Sequence, residues 1–298
     1  MKNPIVADNC PDPCVTRMRD GTYVLACTTN YDEEPDKFPL RRSQDLVTWS
    51  APFAHIFPRG RTPSWATGDF WAPEIHIIGD ALVCYFTARH TCGQLALGVV
   101  TAVAVEGPWT ERGEPLVVDP AVGWIDAHLL QDPSGLYLYY KGDHNALRPR
   151  QPTPIVVRKL AVDGLSFAGE PTTLFVNDRP WESKVVEGPW VVVRDRTYYL
   201  FYAAGEYDTR GYCTGVARAS APMGPFEKCP QPVLTSHDEW SGPGHGCVVS
   251  GPDGDDWFVY HAWHGDKIVK HGSSERWPRM ALAGRVRWGE WPTIETYP

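Results

Sequence analysis

Residues 21–29 read GTYVLACTT: one turn-forming glycine, then a run of β-branched, aromatic and small apolar side chains. The run is short for a helix and almost continuously apolar, which is the pattern of a strand buried on both faces. Four more segments are built alike: DALVCYFTA (80–88), GLYLYYKG (135–142), RTYYLFYAAG (196–205) and DDWFVYHAWHG (255–265). Their starts fall 59, 55, 61 and 59 residues apart. A strand unit recurring at such a period points to a propeller or a solenoid, and solenoid repeats are usually shorter. Five such units fill the 298 residues. The expected fold class is therefore all-β, a five-bladed β-propeller. After each run comes a further strand-like stretch with a polar break and an edge element, such as QLALGVVTAVAVEGPW (94–109) or RMALAGRVRW (279–288). That gives four antiparallel strands per blade and one domain over residues 1–298. The 28 prolines and 27 glycines leave little room for long helices.

The formal net charge is −8, and the 28 Lys and Arg residues are spread along the chain. Neither nucleic acid nor an anionic membrane is expected as a partner. No apolar run approaches a membrane span. The start, MKNPIVADNC, lacks the apolar segment of a secretory leader. The expectation is a cytoplasmic protein, or a secreted one whose leader is not part of this sequence. Eight cysteines, at 10, 14, 27, 84, 92, 213, 229 and 247, include no C-x-x-C pair, which argues against a zinc or thioredoxin-type site. Cys27 and Cys84 sit in apolar runs as small hydrophobes, and reduced thiols are expected. Whether Cys10 and Cys14 pair stays open, as does the oligomeric state. The 13 Trp, 13 Tyr and 10 Phe residues suit a β-rich core first and a sugar-binding surface second.

Just ahead of each repeated run stands one polar residue between glycines and prolines or small residues. These are Asp12 in CPDPC, Glu74 in WAPEIH, Asp126 in WIDAH, Glu187 in VVEGPW and His245 in GPGHGC. They precede their runs by 9, 6, 9, 9 and 10 residues. Taken singly, an Asp before proline is a turn residue and GPGHG is a glycine-rich turn. Taken together, equivalent positions on the inner strands of a propeller converge on its axis. Four carboxylates and an imidazole meeting there shift one another's protonation, which is the mark of a functional site. Glycoside hydrolysis needs two carboxyl groups in different states, one protonated and one ionised. A glutamic acid working near pH 6 needs a rise of about 1.5 to 2 units, roughly 2 to 3 kcal/mol, which a neighbouring carboxylate can supply.

With these motifs in place, the whole chain resembles glycoside hydrolase family 43. Asp12-Pro13 matches that family's early Asp-Pro, Ser43–Trp49 its S-x-D-L-x-x-W, and Phe70–Ile75 its F-W-A-P-E-I. Ile125–His128 matches I-D-P-H with alanine in place of proline, and Glu187–Pro189 matches E-G-P. GVARASAPMGPF and the GPGHG…VYHAW pair match as well. The resemblance implies a five-bladed propeller enzyme that acts on arabinose- and xylose-containing polysaccharides with inversion. It implies Asp12 as general base, Glu187 as general acid, and Asp126 as the group that raises and orients Glu187. An inverting pair is expected roughly 6.5–9.5 Å apart. Arg279 matches an arginine that reaches the terminal-sugar pocket. Phe38 and Trp71 are candidate sugar platforms, and Glu74 is a candidate binding or propping residue. No cofactor is required by this reading. His245 matches a histidine facing the axis near Ca²⁺ or water, and an imidazole suits so hard a cation poorly, so a Ca²⁺ there would be held mostly by water.

The expected substrate is an oligosaccharide with a terminal pentose, α-L-arabinofuranosyl ahead of β-D-xylosyl. Endo-arabinanase or galactanase specificity, and a non-catalytic carbohydrate-binding propeller, are the alternatives. Retaining β-fructosidases share the propeller but carry an Asn-Asp-Pro-Asn-Gly type motif, whereas Cys14 and Val15 follow Asp12-Pro13 here.

Overall fold

The structure, a computed structural model, describes residues 2–29 and 33–297. It holds five sheets of four antiparallel strands each, in the order β1–β4, β5–β8, β9–β12, β13–β16 and β17–β20. Among the described residues, the helical segments are two short 3-10 turns, His144–Ala146 and Pro180–Glu182. The inner strands are β1 (Cys14–Arg17), β5 (Ala66–Ile78), β9 (Trp124–Asp132), β13 (Val186–Arg194) and β17 (Trp240–Ser250). Each packs against the next around a closed ring, with β17 returning to β1. This is the five-bladed β-propeller expected from the repeat.

The repeated runs are the second strands: β2 (Tyr23–Ala26), β6 (Ala81–His90), β10 (Gly135–Gly142), β14 (Thr197–Ala204) and β18 (Asp256–His264). Blades stack face to face, so these strands are covered on both sides, and their apolar runs need no alternation. The core is a set of layers between neighbouring blades. Phe38, Phe57, Phe70 and Phe86 form one such layer between blades one and two, with ring centroids 5.1–6.0 Å apart. Burying each ring contributes about 1.5–3 kcal/mol. Phe38 is fully buried in this layer. It cannot serve as a sugar platform, because no face of the ring reaches solvent.

The chain start closes the ring. Ile5 N donates to Ala281 O at 2.9 Å, and Ala281 N donates to Val6 O at 3.0 Å. Asn3 pairs its side chain with both the N–H and C=O of Ala283, at 2.9 and 3.1 Å. These bonds attach the chain start to β19 (Arg279–Arg287) of the last blade. The eight cysteines are all free thiols, and only Cys92 is exposed. Among the described residues, no helix is long and apolar enough to cross a membrane.

Candidate active site

The side chains at the axis arrive there because the inner strands break their pleat. Asp12, Asp126 and His245 have φ of 52°, 59° and 46°. Non-glycine residues rarely hold this left-handed conformation, and it clusters at functional sites. Blade four places the same turn one residue later, at Gly188, with φ of 55°. A Cβ at Gly188 would stand 2.8 Å from the His245 ring, so glycine there answers both the backbone and the close approach. Ladder registers also slip beside Glu74, Asp126, Glu187 and His245.

Asp12 is held as an anion. Its Oδ2 accepts from Thr28 Oγ1 at 2.6 Å, and its Oδ1 lies 3.1 Å from the Arg279 guanidinium and 3.3 Å from His245 Nδ1. Burial pushes the carboxyl up, but the charges of Arg279 and His245, with the Thr28 hydrogen bond, outweigh it and hold Asp12 well below the usual carboxylate range. His261 also lies 3.3 Å from Oδ1, yet its Nδ1 accepts the Asp12 amide proton at 3.1 Å. Burial and the neighbouring Arg279 push His261 far down. It is therefore a neutral acceptor that fixes the Asp12 backbone rather than a counter-ion. Arg279, paired with Asp12, stacks 4.9 Å from the Tyr207 ring.

Asp126 is in the opposite state. Burial and then the nearby Glu187 carboxylate raise it, against the pull of His245 and Lys141, to about 6. Its Oδ2 accepts from Gly188 N at 3.1 Å, which ties it to the residue after Glu187. Glu187 has a donor on each oxygen: Tyr212 OH at 2.8 Å on Oε1 and Lys141 Nζ at 3.1 Å on Oε2. Lys141 is itself buried and also holds Asp143 at 3.2 Å. His245 lies within electrostatic reach of Asp12, Asp126 and Glu187, and Asp12 above all pushes its imidazole up against the effect of burial. One site thus contains an ionised aspartate, a raised aspartate paired with a glutamate, and a histidine biased to the cation.

Glu74 sits apart from this set. Its Oε2 contacts His128 Nδ1 at 2.9 Å and His76 Nε2 at 3.0 Å. His128 Nε2 faces Val191 O at 3.2 Å, so both nitrogens of His128 point at acceptors and one extra proton must lie on the Glu74–His128 pair. Burial lowers His128 to about 3 and raises Glu74, which places that proton on Glu74. Glu74 bridges blades two and three through His128 and His76, and its side chain is 12% open, beside 10% for Asp12 and 14% for Glu187. Among the described residues, Glu74, His76 and His128 are the ones spaced as metal ligands, and His245 is not among them. His245 Nδ1 faces Asp12 Oδ1 at 3.3 Å, and a single imidazole nitrogen suits calcium poorly, since calcium takes six to eight oxygens.

Trp71 is half-buried, as a lip residue would be, and the next amide, Ala72 N, donates to Thr28 Oγ1 at 2.7 Å. Thr28, Lys141, Tyr212 and His261 are not among the candidate site residues named above, although His261 lies in the VYHAW motif. Three of them carried a signal: Thr28, Lys141 and His261 are polar residues at the seventh or eighth position of the repeated apolar runs, as is Thr87. Thr87 Oγ1 accepts from Asp126 N at 3.2 Å.

The profile of glycosyl hydrolases family 43 matches residues 1–292. The chain belongs to glycosyl hydrolase family 43. It is 28% identical over 289 residues to an extracellular exo-α-(1→5)-L-arabinofuranosidase of Streptomyces chartreusis, covering 90% of this chain and 84% of that one. It is 30% identical over 275 residues to a β-D-galactofuranosidase of Aspergillus niger, covering 87% and 75%. A crystal structure of a thermostable family-43 glycoside hydrolase superposes with a TM-score of 0.87 at 26% identity, over 99% of this chain and 96% of that one. The family 43 chain is a glycoside hydrolase, and an oligosaccharide substrate follows from that membership.

Proposed function

We propose that this enzyme removes terminal α-L-arabinofuranosyl residues from arabinan or arabinoxylan oligosaccharides, with inversion at the anomeric carbon. The observation that carries the mechanism is the split between two carboxyl states, Asp12 held ionised and Asp126 raised beside Glu187. Asp12 takes a proton from water as the water oxygen bonds to the anomeric carbon. Glu187 gives its proton to the glycosidic oxygen as that C–O bond breaks. Asp126, raised by burial and by the neighbouring Glu187 carboxylate, keeps a proton on the leaving-group side of the site. Lys141 and Tyr212 hold the two Glu187 oxygens in place, and both are positioning residues.

The furanoside preference is supported by the two relatives described above, whose names specify arabinofuranosidase and galactofuranosidase. The second reading is a β-D-xylosidase, since a xylan 1,3-β-xylosidase of a Vibrio species is 28% identical over 325 residues, although this chain covers 57% of it. Hydrolysis of aryl α-L-arabinofuranoside, aryl β-D-xyloside and aryl β-D-galactofuranoside ranks the sugars. Asp12→Asn and Glu187→Gln are expected to lose at least about 100-fold in kcat, the scale of general acid–base catalysis. Near wild-type rates in both variants would refute the residue roles. NMR of the first-formed anomer tests inversion, and a retained product would refute it.

A further inference from the structure

Of the 13 tryptophans, twelve are buried or half-buried and only Trp277 is exposed, with 44% of its surface open. It stands two residues before Arg279, whose guanidinium lies 3.1 Å from Asp12 Oδ1. With 3.8 Å between consecutive Cα atoms, its Cα is within about 8 Å of that of Arg279. The ladder pairs Trp240 with His264 and Trp263 with Arg279, so the segment that carries this open indole leaves the blade at the same end as the axial residues His245 and His261.

Residues 265–278 carry it from β18 to β19, and both flanks of this segment are fastened. On the blade-four side, His271 N donates to Asp208 Oδ2 at 3.1 Å, His271 Nδ1 meets Tyr207 OH at 3.2 Å, and Lys270 Nζ bonds the Asp208 carbonyl. On the blade-one side, Arg276 reaches Glu33 Oε1 at 3.5 Å. The Lys267 ammonium lies 4.6 Å from the Trp277 ring centroid. A cation–π contact of this kind holds the ring, while burial, which stabilises the other tryptophans, is forgone here.

We propose that Trp277 is a sugar-binding subsite outside the catalytic pocket, stacking on the apolar C–H face of a ring on the leaving-group side of the scissile bond. The assignment to the leaving-group side rests on the exo reading above. When the terminal sugar fills the pocket, a ring at the mouth belongs to the rest of the chain. The subsite takes neutral furanose or pyranose rings, because the indole offers a flat apolar face and its neighbour Lys267 is already engaged with it.

The test compares kcat/KM for the methyl pentoside, which has no second ring, with that for the matching di- and trisaccharides. In Trp277→Ala the oligosaccharide-to-methyl ratio is expected to fall about tenfold, the effect of one lost aromatic contact. Trp277→Phe is expected to keep most of the ratio. Melting temperatures should match wild type, since the side chain is exposed. An unchanged ratio in Trp277→Ala overturns the subsite. If no pentoside is turned over, the proposed reaction fails while the subsite is still tested. In the Glu187→Gln protein, Kd for arabinotriose, xylotriose and galactofuranosyl oligosaccharides is measured with and without Trp277→Ala. A Kd raised about tenfold supports the subsite. An unchanged Kd, or no binding of any of them, overturns it.

Discussion

Replacing Lys141 by methionine should move the alkaline limb of the pH–rate profile upward. The Lys141 ammonium is 1% exposed and 3.1 Å from Glu187 Oε2. At an effective dielectric near 20, a unit charge pair at that distance is worth about 5 kcal/mol, which is a ceiling. Asp143 shares the same ammonium at 3.2 Å, and neighbouring charges usually shift a carboxyl by about 1–3 units. The lower end, about 1 unit or 1.4 kcal/mol, is the reasoned magnitude here. The sign follows from the proposed acid role of Glu187. The Asp126–Glu187 pair must carry a proton, and Asp126 already sits at about 6 with Lys141 pulling it down. Removing the cation lets the pair keep its proton to higher pH. The assay is kcat/KM on the best aryl glycoside from pH 4 to 9, with Lys141→Gln as a second neutral variant and Lys141→Arg to retain the charge. Circular dichroism confirms folding. If the limb in both neutral variants coincides with wild type or moves down, Lys141 does not govern the acid pair.

Asp126→Asn should gain stability while losing activity. A carboxyl raised to about 6 when folded binds its proton more tightly than in the unfolded chain, so folding stability falls as pH rises from about 4 through 6. Asparagine removes that penalty, up to about 3 kcal/mol for a two-unit rise, and the melting temperature of the variant relative to wild type should climb between pH 4 and 7. A flat difference would contradict the assignment. Arg279→Met should act the other way on acid stability. Asp12, depressed in the fold, contributes stability that is full above its ordinary pKa and is lost as pH falls through its folded value. Removing Arg279 raises that value, so acid unfolding should begin at higher pH, and an unmoved midpoint would refute the pairing. Glu74→Gln keeps the shape of a neutral carboxyl and should change stability by less than about 1 kcal/mol. Glu74→Ala leaves His128 and His76 short of a partner and should cost about 2–3 kcal/mol. Equal losses on thermal melting would show that Glu74 is charged.

The period of the apolar runs, and with it the five blades, was legible in the sequence, because a strand covered on both faces must be apolar along its length. The same spacing marked Asp12, Asp126 and Glu187 as residues that meet, since each blade puts its equivalent position on the axis. What each carboxyl becomes was settled in three dimensions. Asp126 is raised by burial beside Glu187, Lys141 reaches Glu187 from a neighbouring blade, and Arg279 folds back on Asp12 across 267 residues. Phe38 and His245 show the limit most clearly. In the sequence Phe38 reads as a candidate sugar platform and His245 as a histidine facing an axial Ca²⁺ or water. Yet the phenyl ring completes a core layer, and the imidazole lies 3.3 Å from the Asp12 carboxylate. Strand periodicity is a local property written in residue order. Burial and charge balance are sums over neighbours drawn from every blade, and those sums exist only once the ring has closed.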